Sequence, residues 1–375
     1  MAGIYVHIPF CAQACHYCDF HFSTSLKHKQ RIINAIKKEL VMRKHYLKSK
    51  LIQTIYFGGG TPSTIDSISL SYLLETIHNN YKLMPNIEIT IEANPEDINK
   101  EQILSWSTMG FNRVSIGVQS FRDRDLKYMN RIHTSKQAKN ALRLLKESSI
   151  NNLNVDLIYG YPELDNNAWK KNLDEVISLK IPHISCYCMT VEPKTPLDYF
   201  IKKGKQKKLN SSQGNVQFLI ARKKLISSGY EHYEISNFAK PGYVSLHNNN
   251  YWNKTHYLGV GPSAHSFNGI SRQWNIKNNH VYCKKIEDKD SYYEFEILSN
   301  KNQINEYILT QIRTSVGMDI KYFKNNMDDI DFVNFKIEIS KLEAEKLLKI
   351  NGNSIVLTEL GMLISDSISE NLFLI

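Results

Sequence analysis

Residues 4–18 of the chain read IYVHIPFCAQACHYC. The first part, residues 4–8, is apolar and rich in β-branched side chains, which predicts a short β-strand. The chain then carries three cysteines at spacings of four and three residues, namely Cys11, Cys15 and Cys18. Cysteines this crowded in a reducing compartment indicate a metal site rather than disulfide bonds. The segment therefore predicts a strand that ends in a metal-binding loop.

A similar order of elements, in which an apolar run is followed by a turn and a helical pattern, recurs through the first two thirds of the chain. The predicted strands are residues 4–8, 54–57, 87–91, 113–118, 153–158 and 184–190. The predicted helices are residues 29–46, 69–81, 100–109, 136–147, 169–179 and 214–227. Six such units, with strands apolar on both faces, predict a parallel sheet covered by helices. Right-handed crossovers curl it into an α/β fold, a (β/α)6 partial TIM barrel.

The regular alternation stops near residue 230, and this change predicts a division of the chain into three parts. We expect the core barrel to span residues 1–228. Residues 229–298 are rich in aromatic residues, Gly and Asn, and predict short strands and loops that close the barrel. Residues 299–375 show helical patterns and a late hairpin, which predicts a mainly helical, winged-helix-like accessory domain.

The composition is that of an ordinary globular protein, with 42% hydrophobic and 22% charged residues in a chain of 375. No apolar stretch of membrane-spanning length and no signal peptide is apparent, so we expect a cytoplasmic protein. The net charge of +10 is spread over Lys- and Asn-rich segments without a nucleic-acid-binding motif, and we expect no nucleic-acid partner. The basic run at residues 202–208 predicts a solvated loop, with peripheral membrane contact as the weaker alternative.

The cysteine loop fits two kinds of metal site. Three thiolates at these spacings suit a cubane iron–sulfur cluster in which one iron has no protein ligand. A structural zinc ion is the alternative, and it needs a fourth ligand. His7, His16 and His21 are the histidines that could supply it.

Chemically distinctive residues follow the other predicted strands as well, and in barrels of this kind the carboxyl ends of the strands meet on one face. Gly58, Gly59 and Gly60 follow the second strand and could offer backbone groups to a small zwitterion, although glycine runs are also common in turns. Glu92 and Asp156 each end an apolar strand. A buried carboxylate needs a partner, which could be a ligand or a salt bridge with Arg131.

These motifs together resemble the radical S-adenosylmethionine superfamily, and most closely its oxygen-independent coproporphyrinogen oxidase-like branch. The resemblance rests on YVHIPFC, FGGGTP, EANPE, RVSIGVQSF, DLIYG and YEISNFAKPGY, between residue 4 and about residue 270. It implies that Cys11, Cys15 and Cys18 bind a [4Fe-4S] cluster whose fourth iron is chelated by S-adenosylmethionine. It implies cofactor contacts from Tyr5, Tyr17, Gly59, Gly60, Thr61, Glu92, Gln119, Arg131 and Asp156. Reduction of such a cluster releases a 5′-deoxyadenosyl radical.

The sequence departs from the true oxidases at two points. Position 20 is Phe where those enzymes carry a further cysteine, and they have an N-terminal extension that this chain lacks. Both departures resemble the heme chaperone subgroup, as does HNNNYW at residues 247–252. This resemblance implies that His247 binds heme, on a loop beside Tyr251 and Trp252, although a histidine on an Asn-rich loop is more often a surface hydrogen-bonding residue. His265 is a second candidate ligand.

We therefore expect a heme chaperone that passes heme to an acceptor protein, and the resemblance suggests a homodimer. The alternative is an oxygen-independent coproporphyrinogen III oxidase, which decarboxylates propionate side chains, so enzyme activity is left open. Cys186 and Cys188 alternate on the sixth strand and point to the same face. We expect both to be small buried side chains without a metal.

Overall fold

The computed structural model describes residues 1–48 and 51–374; residues 49, 50 and 375, which fall within the predicted domains, lie outside the described residues. The strands are β1 (Ala2–Ile8), β2 (Leu51–Gly59), β3 (Lys82–Ala93), β4 (Arg113–Gln119), β5 (Asn152–Tyr159), β6 (His183–Cys188), β7 (Glu231–Glu234), β8 (Asn237–Ala239), β9 (His256–Val260), β10 (His265–Phe267), β11 (Ser271–Asn275), β12 (Tyr293–Ile297), β13 (Met318–Asp319), β14 (Leu348–Asn351) and β15 (Ser354–Leu357). 

The helices are α1 (Lys29–Met42), α2 (Ser67–Asn80), α3 (Lys100–Met109), α4 (Asp123–Tyr128), α5 (Ser135–Lys146), α6 (Asn166–Ser178), α7 (Pro196–Lys202), α8 (Ser211–Ser227), α9 (Leu246–Trp252), α10 (Asn279–Asp288), α11 (Asn300–Gln311), α12 (Ile320–Asn326), α13 (Asp329–Ala344), α14 (Glu359–Met362) and α15 (Ser365–Leu372). Each of the six predicted strands and six predicted helices corresponds to an observed element. The sequence analysis did not predict the short helices α4 and α7.

Six consecutive strands, β1 to β6, form the parallel centre of a twelve-stranded sheet. Their registers place apolar side chains opposite one another: Ile55 of β2 lies between Ile4 of β1 and Ile89 of β3, and all three are buried. This arrangement confirms the predicted α/β fold with a parallel core. Because parallel strands all run the same way, the loops after β1 to β6 meet at one edge of the sheet.

Side-chain caps fix the starts of several helices on this sheet. The Thr134 hydroxyl accepts from the Gln137 backbone, and the Gln137 side chain accepts from the Thr134 backbone, so α5 begins with a capping box. The Asp165 carboxylate caps α6, which is why that helix begins before its predicted start at residue 169. Gly110, at φ +96°, ends α3 in the left-handed conformation that glycine adopts without strain.

The strands after residue 230 add to the two sides of the central sheet. β8 and β7 continue it beside β6, whereas β9, which is parallel to β1, begins an extension through β10, β11 and β12. Within the described residues, β7 and β12 are the outer strands and do not pair with each other. These strands therefore widen the partial barrel and do not close it by hydrogen bonding.

The C-terminal part has a core of its own, built from residues between Ile304 and Leu372. Its order from α11 to β15 is helix, strand, helix, helix, strand, strand, with a small sheet in the order β13-β15-β14. This is the order of a winged-helix unit and agrees with the predicted fold of the accessory domain. The two predicted domain boundaries stay predictions.

None of the described helices is long and apolar enough to span a membrane. In the basic run at residues 202–208, which follows α7, every side chain except the half-buried Gln206 is exposed. The exposure of these side chains agrees with the solvated loop that we predicted for this run.

Buried Glu39 joins α1 to the strands that widen the sheet. Its carboxylate is fully buried and accepts from the Gly261 amide at 2.8 Å, the Asn275 amide group at 2.8 Å and the Tyr282 hydroxyl. Replacement by alanine removes the acceptor of the buried Gly261 amide and Tyr282 hydroxyl and one of the two acceptors of the Asn275 amide group, and unsatisfied buried donors cost more than the bonds themselves contribute.

We expect Glu39→Ala to lower the free energy of unfolding by about 3 kcal/mol. Urea denaturation under anaerobic conditions measures this change. Exposed Glu75, on α2, is the matched control, and Glu75→Ala should cost under about 0.5 kcal/mol. Equal midpoints for the two variants would contradict the structural role of Glu39.

Candidate functional site

A cavity of about 460 Å³ lies where the loops after the central strands meet. Every predicted site residue except Tyr5 and His247 lines it: Cys11, Cys15, Tyr17, Cys18, Gly59, Gly60, Thr61, Glu92, Gln119, Arg131 and Asp156. These residues come from separate strand ends, so the topology brings together what the sequence spreads over about 150 positions. The residues predicted from separate strand ends thus line one cavity at the sheet edge, and their roles stay predictions.

The cysteine loop is held in place by backbone contacts at both of its ends. The Cys11 amide donates to the Ser23 carbonyl at 3.1 Å, and the His16 amide donates to the Met129 carbonyl at 3.2 Å. Asn130, just after α4, donates to the Ala14 carbonyl at 2.7 Å. The unpredicted helix α4 therefore positions the middle of this loop.

All three loop cysteines are free thiols and partly buried. The Thr61 hydroxyl lies 3.5 Å from the Cys11 sulfur, and the Arg131 guanidinium lies 3.4 Å from the Cys15 sulfur. Burial raises the pKa of Cys18 to about 12, with the neighbouring thiols adding to the effect. Metal ligation requires the thiolate form, so a bound metal would offset this cost.

The arrangement matches a cluster better than a zinc ion. Among residues 1–48 and 51–374, no three His, Cys, Asp or Glu side chains converge on one metal-ion position. A zinc site needs four ligands around one ion, whereas a cubane cluster distributes three cysteines over three irons. The candidate fourth ligands have other partners: His16 bonds the Tyr128 carbonyl at 3.0 Å, and His7 bonds the His21 carbonyl at 2.9 Å.

The turn after β2 is built against the loop after β1. The Gly60 amide donates to the Ile8 carbonyl at 2.9 Å, and the Thr61 amide donates to the Phe10 carbonyl at 2.6 Å. A Cβ on Gly60 would lie 2.6 Å from the Phe10 carbonyl oxygen, so only glycine fits there. These amides, which the sequence analysis expected to face a ligand, are used inside the protein. Ligand contacts from this turn are left to its carbonyl oxygens and the Thr61 hydroxyl.

Neither strand-end carboxylate pairs with Arg131 within the described residues. Glu92 accepts from the Tyr56 hydroxyl at 2.7 Å and the Gly59 amide at 3.2 Å. Asp156 accepts from the Asn154 side chain at 2.7 Å. The alternative of a structural salt bridge with Arg131 is therefore wrong. Both carboxylates keep a face toward the cavity.

Gln119 and Arg131 show two further signs of a binding site. Gln119 has φ +64°, an uncommon conformation for a residue other than glycine, and its buried Oε1 has no hydrogen-bond partner among the residues that the structure describes. Arg131 donates to Asn94 at 2.5 Å and to the Gly117 carbonyl at 2.9 Å, but its Nε has no partner in the same part of the chain. Unpaired polar atoms on a cavity wall fit a polar ligand that completes them.

Tyr5 and His247 lie away from this cavity. Tyr5 lines an adjoining cavity of about 390 Å³, which shares Gly59 and Glu92 with the first one. His247 lies on helix α9, not on the expected loop, and it is only 2% exposed. Its ring stacks on that of Tyr56 with centroids 5.0 Å apart.

Both ring nitrogens of His247 have partners. Nδ1 lies 2.8 Å from the Thr54 hydroxyl, and Nε2 lies 3.0 Å from the Tyr251 hydroxyl. Burial, together with the charge of Arg113, lowers the pKa of His247 to about 3, so the imidazole is neutral. The Trp252 carbonyl accepts from the Gln311 side chain of α11.

Sequence reasoning misjudged Cys188 and overlooked Arg113. Cys186 is buried as expected, but Cys188 is exposed and lines the cofactor cavity, because β6 ends there and no longer packs on both faces. Arg113 on β4 is fully buried, and none of its three guanidinium nitrogens has a hydrogen-bond partner within residues 1–48 and 51–374. A charged residue at the start of an apolar strand was the one available signal for it.

Comparison with known proteins supports the presence of a cofactor site of this kind. The family model described as the radical SAM superfamily matches residues 5–176, and that described as the HemN C-terminal domain matches residues 298–364. The heme chaperone HemW of Lactococcus lactis subsp. lactis (strain IL1403) is 31% identical over 370 residues, which cover 99% of this chain and 97% of that protein. The chain belongs to the HemW heme chaperone family of radical SAM proteins.

The heme chaperone HemW of Bacillus subtilis (strain 168) is 30% identical over 98% of both chains. Among solved structures, coproporphyrinogen III oxidase (HemN) from Escherichia coli superimposes with a TM-score of 0.84 at 23% identity, over 99% of this chain and 90% of that one. That likeness shows the shared fold. Membership of the radical SAM superfamily implies a [4Fe-4S] cluster and S-adenosylmethionine as cofactors.

The ionisation of Glu92 provides a test of this site. Burial, with the Asp156 carboxylate adding to it, raises the pKa of Glu92 to about 7. We therefore expect Glu92 to be protonated below pH 7 and ionised above it. A cationic ligand such as a sulfonium nucleoside favours the ionised form and should lower the midpoint.

Infrared difference spectra between pH 5 and 9 should show a carboxylic-acid band that fades near pH 7 and is absent in Glu92→Gln. Glu231→Gln, at an exposed position of β7, should keep the band. A wild-type spectrum without a titrating band in this range would count against the assignment.

Proposed function

We propose that this protein is a heme chaperone, which binds heme and passes it to an acceptor protein. The observation that carries the proposal is a pair of adjoining cavities. The cofactor cavity at the cysteine loop shares Asp19, Phe20, Gly59 and Glu92 with the cavity that Tyr5 lines. A cofactor in the first cavity and a flat, partly apolar cargo in the second would lie side by side. The names of the full-length relatives agree with heme as that cargo.

In this proposal Cys11, Cys15 and Cys18 hold a [4Fe-4S] cluster, and the cavity wall around them holds S-adenosylmethionine. The cluster supplies electrons and an open coordination position when it is bound. The protein's part is to bind and orient. Asp156 and Gln119 present acceptor oxygens, suited to ribose hydroxyl or amine donors, while the Arg131 guanidinium suits a carboxylate.

An oxygen-independent coproporphyrinogen III oxidase is the second candidate, since the same cavities could hold a porphyrinogen beside the nucleoside. The residue at position 20 favours the chaperone. Phe20 is 69% exposed and lines both cavities, so an apolar ring stands at the position where the oxidases resembled by this sequence carry a fourth cysteine.

The heme-ligand role of His247 stays a prediction. In the structure its Nε2 faces the Tyr251 hydroxyl and its Nδ1 faces Thr54. Iron ligation through Nε2 therefore requires the Tyr251 hydroxyl to give up its hydrogen bond to this nitrogen. The acceptor protein, the homodimer, the peripheral membrane contact and the cytoplasmic location also stay predictions.

We expect Cys15→Ala to lose the brown iron–sulfur chromophore after anaerobic reconstitution, because the cluster then keeps only two protein ligands. Absorption spectra and iron analysis measure the loss. Cys283→Ala, which changes a buried cysteine on α10 far from the loop in sequence, is the matched control and should keep full iron content. Full iron in Cys15→Ala would sink the cluster assignment.

Two assays on the reconstituted protein distinguish heme binding from coproporphyrinogen oxidase activity. Titration with hemin should give a saturable Soret band, whereas incubation with S-adenosylmethionine, reductant and coproporphyrinogen III should give no vinyl products. Robust formation of vinyl porphyrin would favour the oxidase. Absence of any hemin binding would contradict the chaperone proposal.

A further inference from the structure

The two outer strands of the large sheet, β7 and β12, differ in how their edges are covered. β7 is four residues long, and its register with β8 shifts between His232 and Glu234. Its outer side meets the C-terminal part: the Ser315 amide donates to the Tyr233 carbonyl at 2.9 Å, and Glu234 forms a β-bridge with Thr314. The outer side of β12 has no pairing strand within the described residues.

The sequence of β12 also lacks the usual protection of an outer strand. Natural proteins keep such strands from pairing with other chains by Lys or Pro residues, bulges or short length. β12 reads YEFEI, and its register with β11 runs without a shift from Tyr293 to Ile297. All its side chains after Tyr293 are exposed, and Phe295 and Ile297 are 60% and 70% exposed. The strand therefore presents a regular open edge about 17 Å long.

The backbone groups on this open edge belong to alternate residues of β12. In an antiparallel ladder, opposite residues alternate between hydrogen-bonded and non-hydrogen-bonded pairs. The Leu298 amide donates to the Ile270 carbonyl at 2.9 Å, and the Ile276 amide donates to the Tyr292 carbonyl at 3.0 Å. The even-numbered residues of β12 are therefore bonded to β11. The N–H and C=O groups of the odd-numbered residues, including Phe295, point outward.

The side chains on one face of β12 are acidic and unpaired. Glu294 and Glu296 lie on this face, and neither makes a salt bridge in the described part of the chain. Glu294 accepts from the Trp274 indole at 3.0 Å. Arg272 lies opposite Glu296 but pairs with Glu306. A strand added here is stabilised by Lys or Arg opposite the glutamates and by apolar side chains on the other face.

A second copy of β12 does not meet this requirement. Opposite residues of paired strands share a face, so apolar residues must lie opposite apolar ones. In either direction, every such register that pairs at least three residues of β12 with those of a second copy places Glu294 or Glu296 opposite a glutamate of that copy. Like charges directly opposite each other are destabilising. The charge pattern therefore favours a different protein, whose strand is basic and apolar in alternation.

The open edge lies close to the cavity that Tyr5 lines. His265 of β10 is part of that cavity wall, and it pairs with Trp274 of β11. Trp274 in turn pairs with Glu294 of β12. Neighbouring strands lie about 4.8 Å apart, so β12 is about 10 Å from this wall.

We propose that β12 is a docking edge, to which a partner protein adds an extended segment of alternating Lys or Arg and apolar residues. Main-chain hydrogen bonds to the outward groups of β12 supply affinity, and the alternation supplies specificity. A partner held there lies beside the cavity that Tyr5 lines. The inference goes beyond the proposed function, and it depends neither on heme as the cargo nor on the cluster.

The test is calorimetric titration of the reconstituted protein with a capped synthetic octapeptide of alternating Lys and Val, for which we expect saturable binding. Phe295→Ala should weaken binding about threefold, because an exposed apolar contact is lost. Phe295→Pro should weaken it at least about tenfold, because it also removes an outward N–H that β11 does not use. Leu104→Ala, at a position of α3 that is 69% exposed, is the matched control and should bind like the wild type.

Charge reversal tests the acidic face. Glu296→Lys should weaken binding of the Lys–Val octapeptide at least about tenfold and should bind an octapeptide of alternating Glu and Val, which the wild type should not bind. Glu75→Lys, at an exposed position of α2, should behave like the wild type. A Lys–Val octapeptide N-methylated at two consecutive central amides, one on each of its edges, should not bind the wild type.

Equal binding of the methylated and unmethylated octapeptides would overturn the inference, as would wild-type affinity in Glu296→Lys. A wild-type dimer that Phe295→Pro converts to a monomer in sedimentation velocity would assign the edge to a second copy instead. The substituted side chains are exposed, so the variants should fold, and circular dichroism with iron analysis checks this. The methylated octapeptide tests main-chain pairing without any change to the protein. Hemin titration is a separate measurement, so loss of the chaperone proposal would leave this result standing.

Discussion

The geometry of the site depends on the contact between the loop after β1 and the turn after β2. Two backbone hydrogen bonds, from Gly60 to Ile8 and from Thr61 to Phe10, join them. The contact is possible because Gly60 lacks a Cβ, which would meet the Phe10 backbone at under 3 Å. The cysteine loop leaves β1 only a few residues later, so its direction is set by this contact. The Thr61 hydroxyl, on the same turn, reaches Cys11.

The interior of this partial barrel contains buried polar side chains, whereas an ordinary barrel core is filled mainly with branched apolar ones. Glu88 accepts from the backbone amides of Leu246 and His247 at 3.0 Å each, at the start of α9. Gly3 makes room for the imidazole, since a Cβ there would lie 3.3 Å from it. Helix α9 is therefore fixed by hydrogen bonds to strand residues that face inward. Its position under the cofactor cavity follows from the strands, not from its own sequence.

How well each feature of this protein could be predicted from the sequence depends on how far apart in the sequence the interacting residues lie. The βα alternation and the hairpin of the C-terminal part follow from apolar periodicity and from caps such as Thr134, which act within a few residues. The cavity residues follow because parallel strands place their carboxyl ends together. Helix α9 was mistaken for a loop because its three asparagines have low helix propensity. The Ser245 cap and the Glu88 carboxylate, the latter 158 residues distant from its partner Leu246, outweigh that propensity.

The charge of Arg113 acts on groups at two places in this interior, the cofactor cavity and helix α9. Arg113 is fully buried, its guanidinium group has no hydrogen-bond partner in the described part of the chain, and arginine keeps its charge in such places. Its field lowers the pKa of Asp156 and of Glu92, against the larger effect of burial, and it also lowers the pKa of His247. One cation thus favours ionised carboxylates at the cofactor cavity and a neutral imidazole on α9. Since Tyr56 donates to Glu92 and stacks on His247, the two sites share a side chain as well as a field.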